Sequence, residues 1–442
     1  MEVFLEKIVI YGVVGLFLLG VVLVYILKLR KESRIVESKI KQAKEEGLHE
    51  PVSLHPVVDV NSCIQSGACI RACPEHDILG IRNGKATVIN ASRCVGHGAC
   101  FHACPTQAIT LCIGTEKRGV DLPHVNQYFE TNVKGIYIAG EIGGMGLIKN
   151  AVEQGKQAVD NLVKGIKFAG DYEHDLVVIG AGPAGISATL QAKKHGLKTL
   201  TLEQDSLGGT VFTFPRKKII MTSPMDLPLH GKLKLYETSK QELLNLWNEV
   251  LGKNQIEILE HKKVESINIE KGGFKVNIND GTHYMAKKVL LAIGRRGTPR
   301  KLNIPGELST KVAYRLLEPE FISGQKVMVV GGGDSAIESA LLLADQNKVT
   351  LSYRNNTFSR LKTGNKIKLE EAIATKKIDV LLNSNLVSIE ERYVNIKVKD
   401  EKPYQLENDL VYIFAGGELP TQFLRNAGIE ITTKYGEAIL KH

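Results

Sequence analysis

Two segments of the chain repeat one pattern, in which an apolar strand runs into a glycine-rich turn and then into a helix. The first reads DLVVIGAGPAGISATL from Asp175 and places Gly180, Gly182 and Gly185 at the Gly-x-Gly-x-x-Gly spacing. Glycines at this spacing allow a tight turn and let a pyrophosphate approach the helix N-terminus closely. A second strand ends at Glu203, an acid at the distance that suits ribose hydroxyls. Strand, turn, helix and acid agree, so this segment predicts a dinucleotide-binding domain.

A second copy of the pattern begins at Lys326 and reads KVMVVGGGDSAIESALLLADQNKVTLSYR. Ala336 takes the third glycine position, where alanine still permits close packing of helix and strand. The second strand of this copy ends at Arg354 without an acid, and basic residues favour a 2′-phosphate, hence NADPH. The alternative is that these basic residues only form a solvated loop. The candidate nucleotide-binding residues here are Gly331, Gly333, Ser335, Arg354 and Arg360.

Two matched cysteine runs precede these units, CIQSGACIRACP from Cys63 and CVGHGACFHACP from Cys94, offset by 31 residues. The duplication resembles the bacterial dicluster ferredoxins, whose run is C-x2-C-x2-C-x3-C-P and whose fourth cysteine serves the other cluster. The resemblance covers residues 57 to about 115. It implies one cluster on Cys63, Cys69 and Cys104, and another on Cys73, Cys94 and Cys100.

The second cysteine of each run is missing, because Ser66 and His97 stand in its place. An imidazole nitrogen can ligate iron and would raise the potential, so His97 is a candidate ligand. A serine oxygen is a poorer partner, and the first site is therefore expected to hold a 3Fe–4S cluster or one with a labile iron. Zinc and a site that has lost its metal are the alternatives, but zinc favours C-x2-C pairs, which these runs lack. The seventh cysteine, Cys112, lies in an apolar run and is interpreted as a buried strand residue.

Residues 8–27, IVIYGVVGLFLLGVVLVYIL, are twenty uncharged positions, which is the length of a transmembrane helix. A buried helix rarely runs so far without charge, and a signal peptide would begin with basic residues and end at a small-x-small site. Four basic residues follow this stretch directly: Lys28, Arg30, Lys31 and Arg34. The sequence therefore predicts a single-pass anchor in the cell membrane. The positive-inside rule predicts that its N-terminus lies outside and the catalytic part in the cytoplasm. Residues 28–56 are interpreted as a charged, solvated linker that also touches acidic lipid headgroups.

The two glycine-motif units, an FAD type first and a nicotinamide type second, resemble the low-molecular-weight thioredoxin reductase family over residues 119–442. Segments 290–307 and 411–420 look like the paired crossings between the two domains of that family. Residues 208–245 are closer to its bacillithiol-disulfide-reductase-like branch, in which Gly209 and Thr210 would approach the flavin.

The family closes its FAD domain with a C-terminal strand and helix, yet here the sequence 437–442 stops short of them. The matching piece is YFETNVKGIYIAGEIGGMGLIKNAVEQGKQAVDNLVKG at 128–164, where Gly140 and Glu141 replace the usual Gly-Asp. A circular permutation explains this order, because chain ends tend to lie together at a domain surface. The alternative is a truncated duplicate.

The cysteines required by thioredoxin reductases are missing from the second glycine motif, and Ala184 stands where the bacillithiol branch carries its cysteine. Disulfide reduction by the chain's own thiols is therefore excluded, since only Cys112 is left over. An electron-transfer chain remains, in which FAD bridges the two-electron chemistry of NADPH and the one-electron chemistry of two iron–sulfur clusters, 4Fe–4S or 3Fe–4S. This chemistry requires no side-chain acid or base, so no catalytic residue of that kind is expected. The electron acceptor would be a redox protein or a quinone. One alternative is the reverse electron flow, in which reduced ferredoxin or a quinol reduces NADP to NADPH. Another alternative is a non-enzymatic redox sensor or subunit of a membrane complex.

The chain has 57 lysines and arginines against 48 aspartates and glutamates, and the basic residues do not form a block. No nucleic-acid partner is therefore expected. A homodimer is one alternative for the oligomeric state. The expected fold is an α/β flavoprotein of two dinucleotide-binding domains, preceded by a ferredoxin-like α+β dicluster domain and one transmembrane helix. The expected domains are the helix at 8–27, the linker at 28–56, the ferredoxin-like domain at 57–118, the permuted segment at 119–170, the FAD domain at 171–300, the NAD(P)H domain at 301–413 and a return to the FAD domain at 414–442.

Overall fold

The computed structural model describes residues 2–45, 49–51, 54–75, 77–94, 96, 98–116, 119–144, 146–165, 172–214, 219–221, 224–235, 237–295, 298–358, 361–418 and 420–440. The chain forms two compact units, one from Met1–Arg118 with Tyr435–His442 and the other from Gly119–Lys434.

Helix α1 (Glu2–Glu45) opens the first unit and is one continuous helix. Its apolar side chains from Ile10 to Leu27 are exposed, and by length and composition it could cross a membrane. The predicted solvated linker at 28–56 needs correction, because the helix continues through it to Glu45 and packs on the ferredoxin-like domain. Ala43 is 1% exposed, and a Cβ on Gly80 would lie 2.8 Å from a Val36 methyl.

The rest of the first unit is a duplicated α+β arrangement. Helix α2 starts after Gly67 (φ 68°) and helix α3 starts after Gly98 (φ 76°), which are equivalent positions of the two cysteine runs. Both glycines adopt the left-handed conformation, which is costly for a residue with a Cβ. The elements are β1 (His55–Val58), α2 (Ala68–Ala72), β2 (Leu79–Arg82), β3 (Lys85–Val88), α3 (Ala99–His102) and β4 (Ile109–Ile113), with β1 antiparallel to β4 and β2 antiparallel to β3.

The second unit has two lobes, and the first lobe is built around a sheet of order β13-β14-β15-β7-β8 with β6 on the other side of β15. Strands β6, β7 and β8 run parallel to β15 or to each other, and the run Leu176–Ile179 is almost fully buried, as expected of a strand covered on both faces. The elements are β5 (Val120–Pro123), β6 (Ile136–Ile138), α4 (Ile148–Val163), β7 (His174–Ile179), α5 (Pro183–Lys194), β8 (Thr199–Leu202), β9 (Ile219–Met221), β10 (Met225–Leu227), β11 (Gly231–Leu233), β12 (Glu237–Ser239), α6 (Lys240–Lys253), β13 (Val264–Glu270), β14 (Gly273–Ile278) and β15 (His283–Leu291).

The second lobe is a parallel sheet of order β17-β24-β18-β19-β20 beside a three-stranded antiparallel sheet. The crossings predicted at 290–307 and 411–420 pair as short antiparallel strands, with Thr298 opposite Glu418. After the second crossing the chain returns to the first lobe, where Leu424 and Ile429 join its core. The elements of the second lobe and its crossings are β16 (Thr298–Pro299), β17 (Val312–Ala313), β18 (Lys326–Val330), α7 (Asp334–Leu343), β19 (Lys348–Tyr353), α8 (Thr363–Ala374), β20 (Ile378–Leu382), β21 (Ser384–Ile389), β22 (Tyr393–Val398), β23 (Tyr404–Glu407), β24 (Leu410–Ile413) and β25 (Gly417–Glu418). The returning segment adds α9 (Thr421–Asn426) and β26 (Ile431–Lys434) to the first lobe, where β26 pairs with β5.

The final strand departs from the predicted return of 414–442 to the FAD domain. Strand β27 (Glu437–Leu440) pairs antiparallel with β4 of the first unit, with Ala438 opposite Cys112. Only residues up to Lys434 therefore belong to the second unit. The β4 edge accepts this strand because β1 covers just one of its two sides.

Candidate functional site

A cavity of about 1000 Å³ opens in the second unit and is lined by residues of both glycine motifs. Its volume is at the upper end of ligand pockets, which suits a dinucleotide rather than a small metabolite. Among the predicted site residues, the cavity is lined by Gly140, Glu141, Gly180, Gly182, Glu203, Gly209, Thr210, Gly333 and Ser335.

The three glycines of the first motif lack a side chain for two different reasons. A Cβ on Gly185 would lie 1.8 Å from the Gly180 carbonyl oxygen, and one on Gly180 would lie 2.6 Å from the Ala292 oxygen, so both are required by packing. Gly182 has nothing within 4 Å of its Cβ position and an ordinary φ of −76°. The space beside Gly182 is therefore kept open towards the cavity, at the N-terminus of α5, where backbone N–H groups attract a phosphate.

Glu203 is held rigidly at the end of β8. Its carboxylate accepts hydrogen bonds from the Ala181 N–H at 2.7 Å and from the Asp205 N–H at 3.0 Å. It is only 4% exposed, and this burial raises its pKa above the ordinary carboxyl value despite those hydrogen bonds. A buried carboxylate facing a cavity suits a ligand that donates hydrogen bonds, such as the hydroxyls of a ribose.

Segment 128–164 completes this lobe although it precedes β7 in the chain. Its strand β6 lies parallel to β15, and its helix α4 packs so tightly on α5 that a Cβ on Gly155 would lie 2.1 Å from the Ala184 oxygen. The Ser187 hydroxyl donates to the Val152 carbonyl at 2.6 Å, and the Gly140 N–H donates to Gln154 at 2.8 Å. These contacts pack segment 128–164 onto the first lobe and bring Gly140 and the neighbouring Glu141 to the cavity.

The second glycine motif forms the matching turn in the second lobe. Gly331 is required by packing, since its Cβ would lie 2.6 Å from the Phe414 oxygen, whereas the Cβ position of Gly333 is open. Arg354 is exposed at the end of β19, beside this turn, and does not line the cavity. Arg360 lies outside the described residues.

Sequence reasoning missed two features of this site. The Tyr353 ring lies over the second turn, where a Cβ on Gly332 would meet it at 2.1 Å, and it stacks on Phe358 with ring centroids 5.1 Å apart. Arg315 of the second lobe donates to Asp205 of the first lobe at 3.0 Å. No local pattern could have indicated this pair, because its members are 110 residues apart.

In the first unit the cysteines form two groups that we name site I (Cys63, Cys69 and Cys104) and site II (Cys73, Cys94 and Cys100). The three thiols of site I line one cavity together with Ser66. Burial and then the nearby Cys104 and Cys63 raise the pKa of Cys69. The thiols of site II are neighbours as well, since Cys94 and Cys73 add to the effect of burial on Cys100. This is the grouping that the ferredoxin resemblance implies.

Burial raises the pKa of Cys94 to about 11 and that of Cys100 to about 12, so both thiols of site II are held protonated unless a cation binds. Among the described residues, which omit His97, no three metal-ligating side chains converge on a single-ion site. Three thiols spread around one space suit a polynuclear iron–sulfur cluster, in which each thiol takes a different iron. Ser66 is exposed at the rim of site I.

The family model "4Fe-4S dicluster domain" matches residues 55–105, and that of the "pyridine nucleotide-disulphide oxidoreductase" family matches residues 177–441. A ferredoxin–NADP reductase of Picrophilus torridus is 32% identical over 54% of this chain and 69% of its own length. A similar reductase of Ignicoccus hospitalis is 31% identical over 42% of this chain, which spans 57% of that relative. The bacilliredoxin reductase Bdr of Bacillus subtilis is 24% identical over 59% of this chain and 82% of its own length.

Among solved structures, the bacillithiol disulfide reductase Bdr of Staphylococcus aureus is similar, with a TM-score of 0.52 and 24% identity, over 58% of this chain and 81% of that one. This similarity confirms the two-lobed fold. With a dicluster domain in front of the matched segment, the chain belongs to the pyridine nucleotide-disulphide oxidoreductase family and carries a ferredoxin-type domain as well.

Proposed function

We propose that this protein is a membrane-anchored NADPH oxidoreductase that passes electrons between NADPH, FAD, two iron–sulfur clusters and an external redox partner. The observation that carries the proposal is the single cavity lined by both glycine motifs, in a chain that also groups six thiols into two sites. FAD supplies the exchange between a hydride, which carries two electrons, and one-electron carriers. The thiols of site I and site II would hold the iron–sulfur clusters, which supply one-electron chemistry when bound.

The residues of the cavity have distinct tasks in this proposal. The open face of Gly182 and the N-terminus of α5 receive the FAD pyrophosphate, and Glu203 holds the adenosine ribose. Glu141, Gly209 and Thr210 lie along the flavin end. Gly333 and Ser335 receive the NADPH pyrophosphate, and Arg354 and Arg360 face its 2′-phosphate.

At the clusters we propose three thiolates each, with Ser66 beside site I and His97 as the nitrogen ligand of site II. A neutral imidazole in place of a thiolate removes one negative charge from the cluster's surroundings and raises its potential. Site I, with a weak oxygen donor, would hold a 3Fe–4S cluster or lose one iron readily.

Helix α1 is the proposed anchor, with the N-terminus outside the cell and both units in the cytoplasm. Its exposed apolar stretch and the basic residues that follow support this orientation. The acceptor is proposed to be a redox protein or a quinone.

Reverse flow is the second candidate, since the relatives from Picrophilus torridus and Ignicoccus hospitalis are named ferredoxin–NADP reductases. Anaerobically purified protein tests the proposal: it should contain flavin, iron and acid-labile sulfide, and should reduce a one-electron dye with NADPH. Reduced ferredoxin that produces NADPH faster than NADPH reduces any acceptor would establish reverse flow. Flavin without iron or sulfide would contradict the electron chain, and a redox sensor would show no steady turnover.

Replacing Arg354 by Ala is expected to raise the KM for NADPH about tenfold or more and to leave the KM for NADH nearly unchanged. The loss of one charge-assisted contact to the 2′-phosphate costs on the order of 1.5–3 kcal/mol, and only NADPH carries that group. Steady-state kinetics with both nucleotides measures the change, with Arg392→Ala on the exposed surface of the same lobe as the control. Equal use of NADPH and NADH by the unmodified protein would contradict the assignment.

FAD affinity is expected to rise with pH because Glu203 must ionise to accept the ribose hydroxyls. Burial raises its pKa in the protein without FAD, so the protonated form stabilises the fold below the ordinary carboxyl pKa, and that contribution is lost as pH rises through the raised value. FAD binding, which favours the carboxylate, should therefore strengthen as the pH rises through that raised pKa. Titration of flavin fluorescence against the FAD-free protein measures this, and Glu203→Gln should bind FAD more weakly and without the pH dependence. A Glu203→Gln protein that keeps the slope would assign the proton to another group.

A further inference from the structure

Helix α1 and the ferredoxin-like domain make a directed series of side-chain contacts. Along the helix, Ser33 donates to Asn83 at 3.0 Å, Glu37 accepts from Arg82 at 2.6 Å, and Lys39 pairs with Asp77 at 2.5 Å. The residue numbers of the partners decrease as those along the helix increase, so strand β2 runs antiparallel to α1. The Asn83 end of the domain is therefore the end nearest the apolar stretch of the helix.

The length of helix between the apolar stretch and these contacts is short. Ser33 follows Leu27 by six residues, which is a rise of about 9 Å in an α-helix, and Lys39 lies about 18 Å from Leu27. The headgroup layer on one side of a bilayer is about 5–7 Å thick. If α1 spans the bilayer as proposed above, the Asn83 end lies against the headgroups and the Asp77 end lies about 9 Å further along the helix.

Site I lies at the Asn83 end. A Cβ on Gly84 would lie 3.2 Å from the Gln65 side chain, and the Lys85 ammonium donates to the Cys63 carbonyl at 2.7 Å. The Ala86 N–H also points at the Cys63 sulfur at 3.4 Å. The β2–β3 turn and the start of β3 therefore contact the loop that contains Cys63, the first ligand of site I.

Site II lies at the Asp77 end. The Cys73 thiol donates to the Glu75 carbonyl at 3.1 Å, two residues before Asp77. The Asn90 amide donates to the Asp77 carbonyl at 2.9 Å, and Asn90 begins the turn Ala91–Arg93 that leads into Cys94. Two site II ligands, Cys73 from the first cysteine run and Cys94 from the second, are thereby linked to the Asp77 end of the domain, which is the end further from the apolar stretch of α1.

The surface beside site I has the composition of a bilayer-facing edge. Ile64, next to the buried Cys63, is 64% exposed, and Val60, three residues before Cys63, is 53% exposed. Arg71 is exposed and donates to the Ser66 carbonyl, and the Lys85 ammonium donates to the Cys63 carbonyl, so two cations contact the loop 63–66. Apolar side chains with basic neighbours are what an interfacial surface presents to anionic lipid headgroups.

We propose that the edge formed by Val60, Ile64, Arg71 and the Asn83–Gly84 turn rests on the anionic bilayer surface, so that site I is the membrane-proximal cluster and site II the distal one. The inference rests on the membrane anchor of the proposed function. It places site I on the side from which a membrane-embedded redox partner would approach.

The test uses the full-length holoprotein in nanodiscs that contain anionic lipid and a lipid with a gadolinium chelate on its headgroup. Electron paramagnetic resonance power saturation then measures the relaxation of each cluster in the oxidation state that gives its signal, and a Cys100→Ala protein identifies the signal of site I. We expect gadolinium lipid to enhance the relaxation of site I more than that of site II. A water-soluble gadolinium chelate is the control for solvent exposure.

A seven-residue helical insertion after Arg30 provides the matched variant, because two turns raise the domain by about 10 Å and nearly keep its rotation. This insertion should abolish the enhancement at site I. Equal enhancement of the two sites, stronger enhancement at site II, or no effect of the insertion would overturn the inference while the anchor stands. Protein that fails to remain in the discs would overturn the anchor and the inference together.

Discussion

A Gly182→Ala protein is expected to fold and to be purified without flavin. The added methyl meets no protein atom within 4 Å, and the φ of −76° is ordinary for alanine, so the cost to the fold is at most that of a poorer N-cap, about 1 kcal/mol. The methyl would instead occupy the space in which the pyrophosphate approaches the backbone. Flavin absorbance per protein and NADPH oxidation should both be lost, whereas the iron content of the ferredoxin-like domain should not change.

Two other glycines serve as controls, because their Cβ positions are equally open. Gly333→Ala should retain flavin and lose NADPH oxidation, since it blocks only the second turn. Gly252→Ala, near the end of α6 and away from the cavity, should keep flavin and activity and raise the free energy of unfolding by about 0.5–1 kcal/mol. A fully flavinated Gly182→Ala protein would contradict the placement of the FAD pyrophosphate.

A Cys100→Ala protein is expected to lose the cluster of site II and to keep that of site I. Cys100 is 4% exposed and adjoins Cys94 and Cys73, so its removal leaves site II with two thiols. Iron and acid-labile sulfide should fall by the content of one cluster, and one of two electron paramagnetic resonance signals should disappear. Flavin content should stay constant, because both glycine motifs lie in the second unit.

Cys112 offers the matched control, since it is 6% exposed, lies on β4 and belongs to neither site. Cys112→Ala should keep both clusters and lose only packing energy, on the order of 1 kcal/mol. The Cys100→Ala protein could instead lose both clusters and keep a native far-ultraviolet circular dichroism spectrum. That result would mean that the clusters of the two sites assemble only together. Loss of iron in Cys112→Ala would make Cys112 a ligand.

The elements whose pattern is local could be predicted well. The strand–turn–helix units at Gly180 and Gly331 stand where the spacing places them, because the glycine turn, the apolar strand and the helix all follow from neighbouring residues. The internal repeat likewise predicted the grouping of Cys104 with Cys63, although only through the resemblance to dicluster ferredoxins. Charge patterning was a poorer guide between residues 28 and 56, where Glu37 and Lys39 stay partly exposed but also pair with Arg82 and Asp77 of the ferredoxin-like domain.

The sequence by itself thus determined which cofactors the chain can hold, since motif spacing sets the chemistry of a turn or a thiol cluster. Only the tertiary structure decided what lies next to what. Strand β27 pairs with β4 of the first unit, Arg315 reaches Asp205, and α1 runs antiparallel to β2. Each of these contacts joins residues far apart in the chain, and is selected by the burial and hydrogen bonding of the whole unit rather than by any local preference.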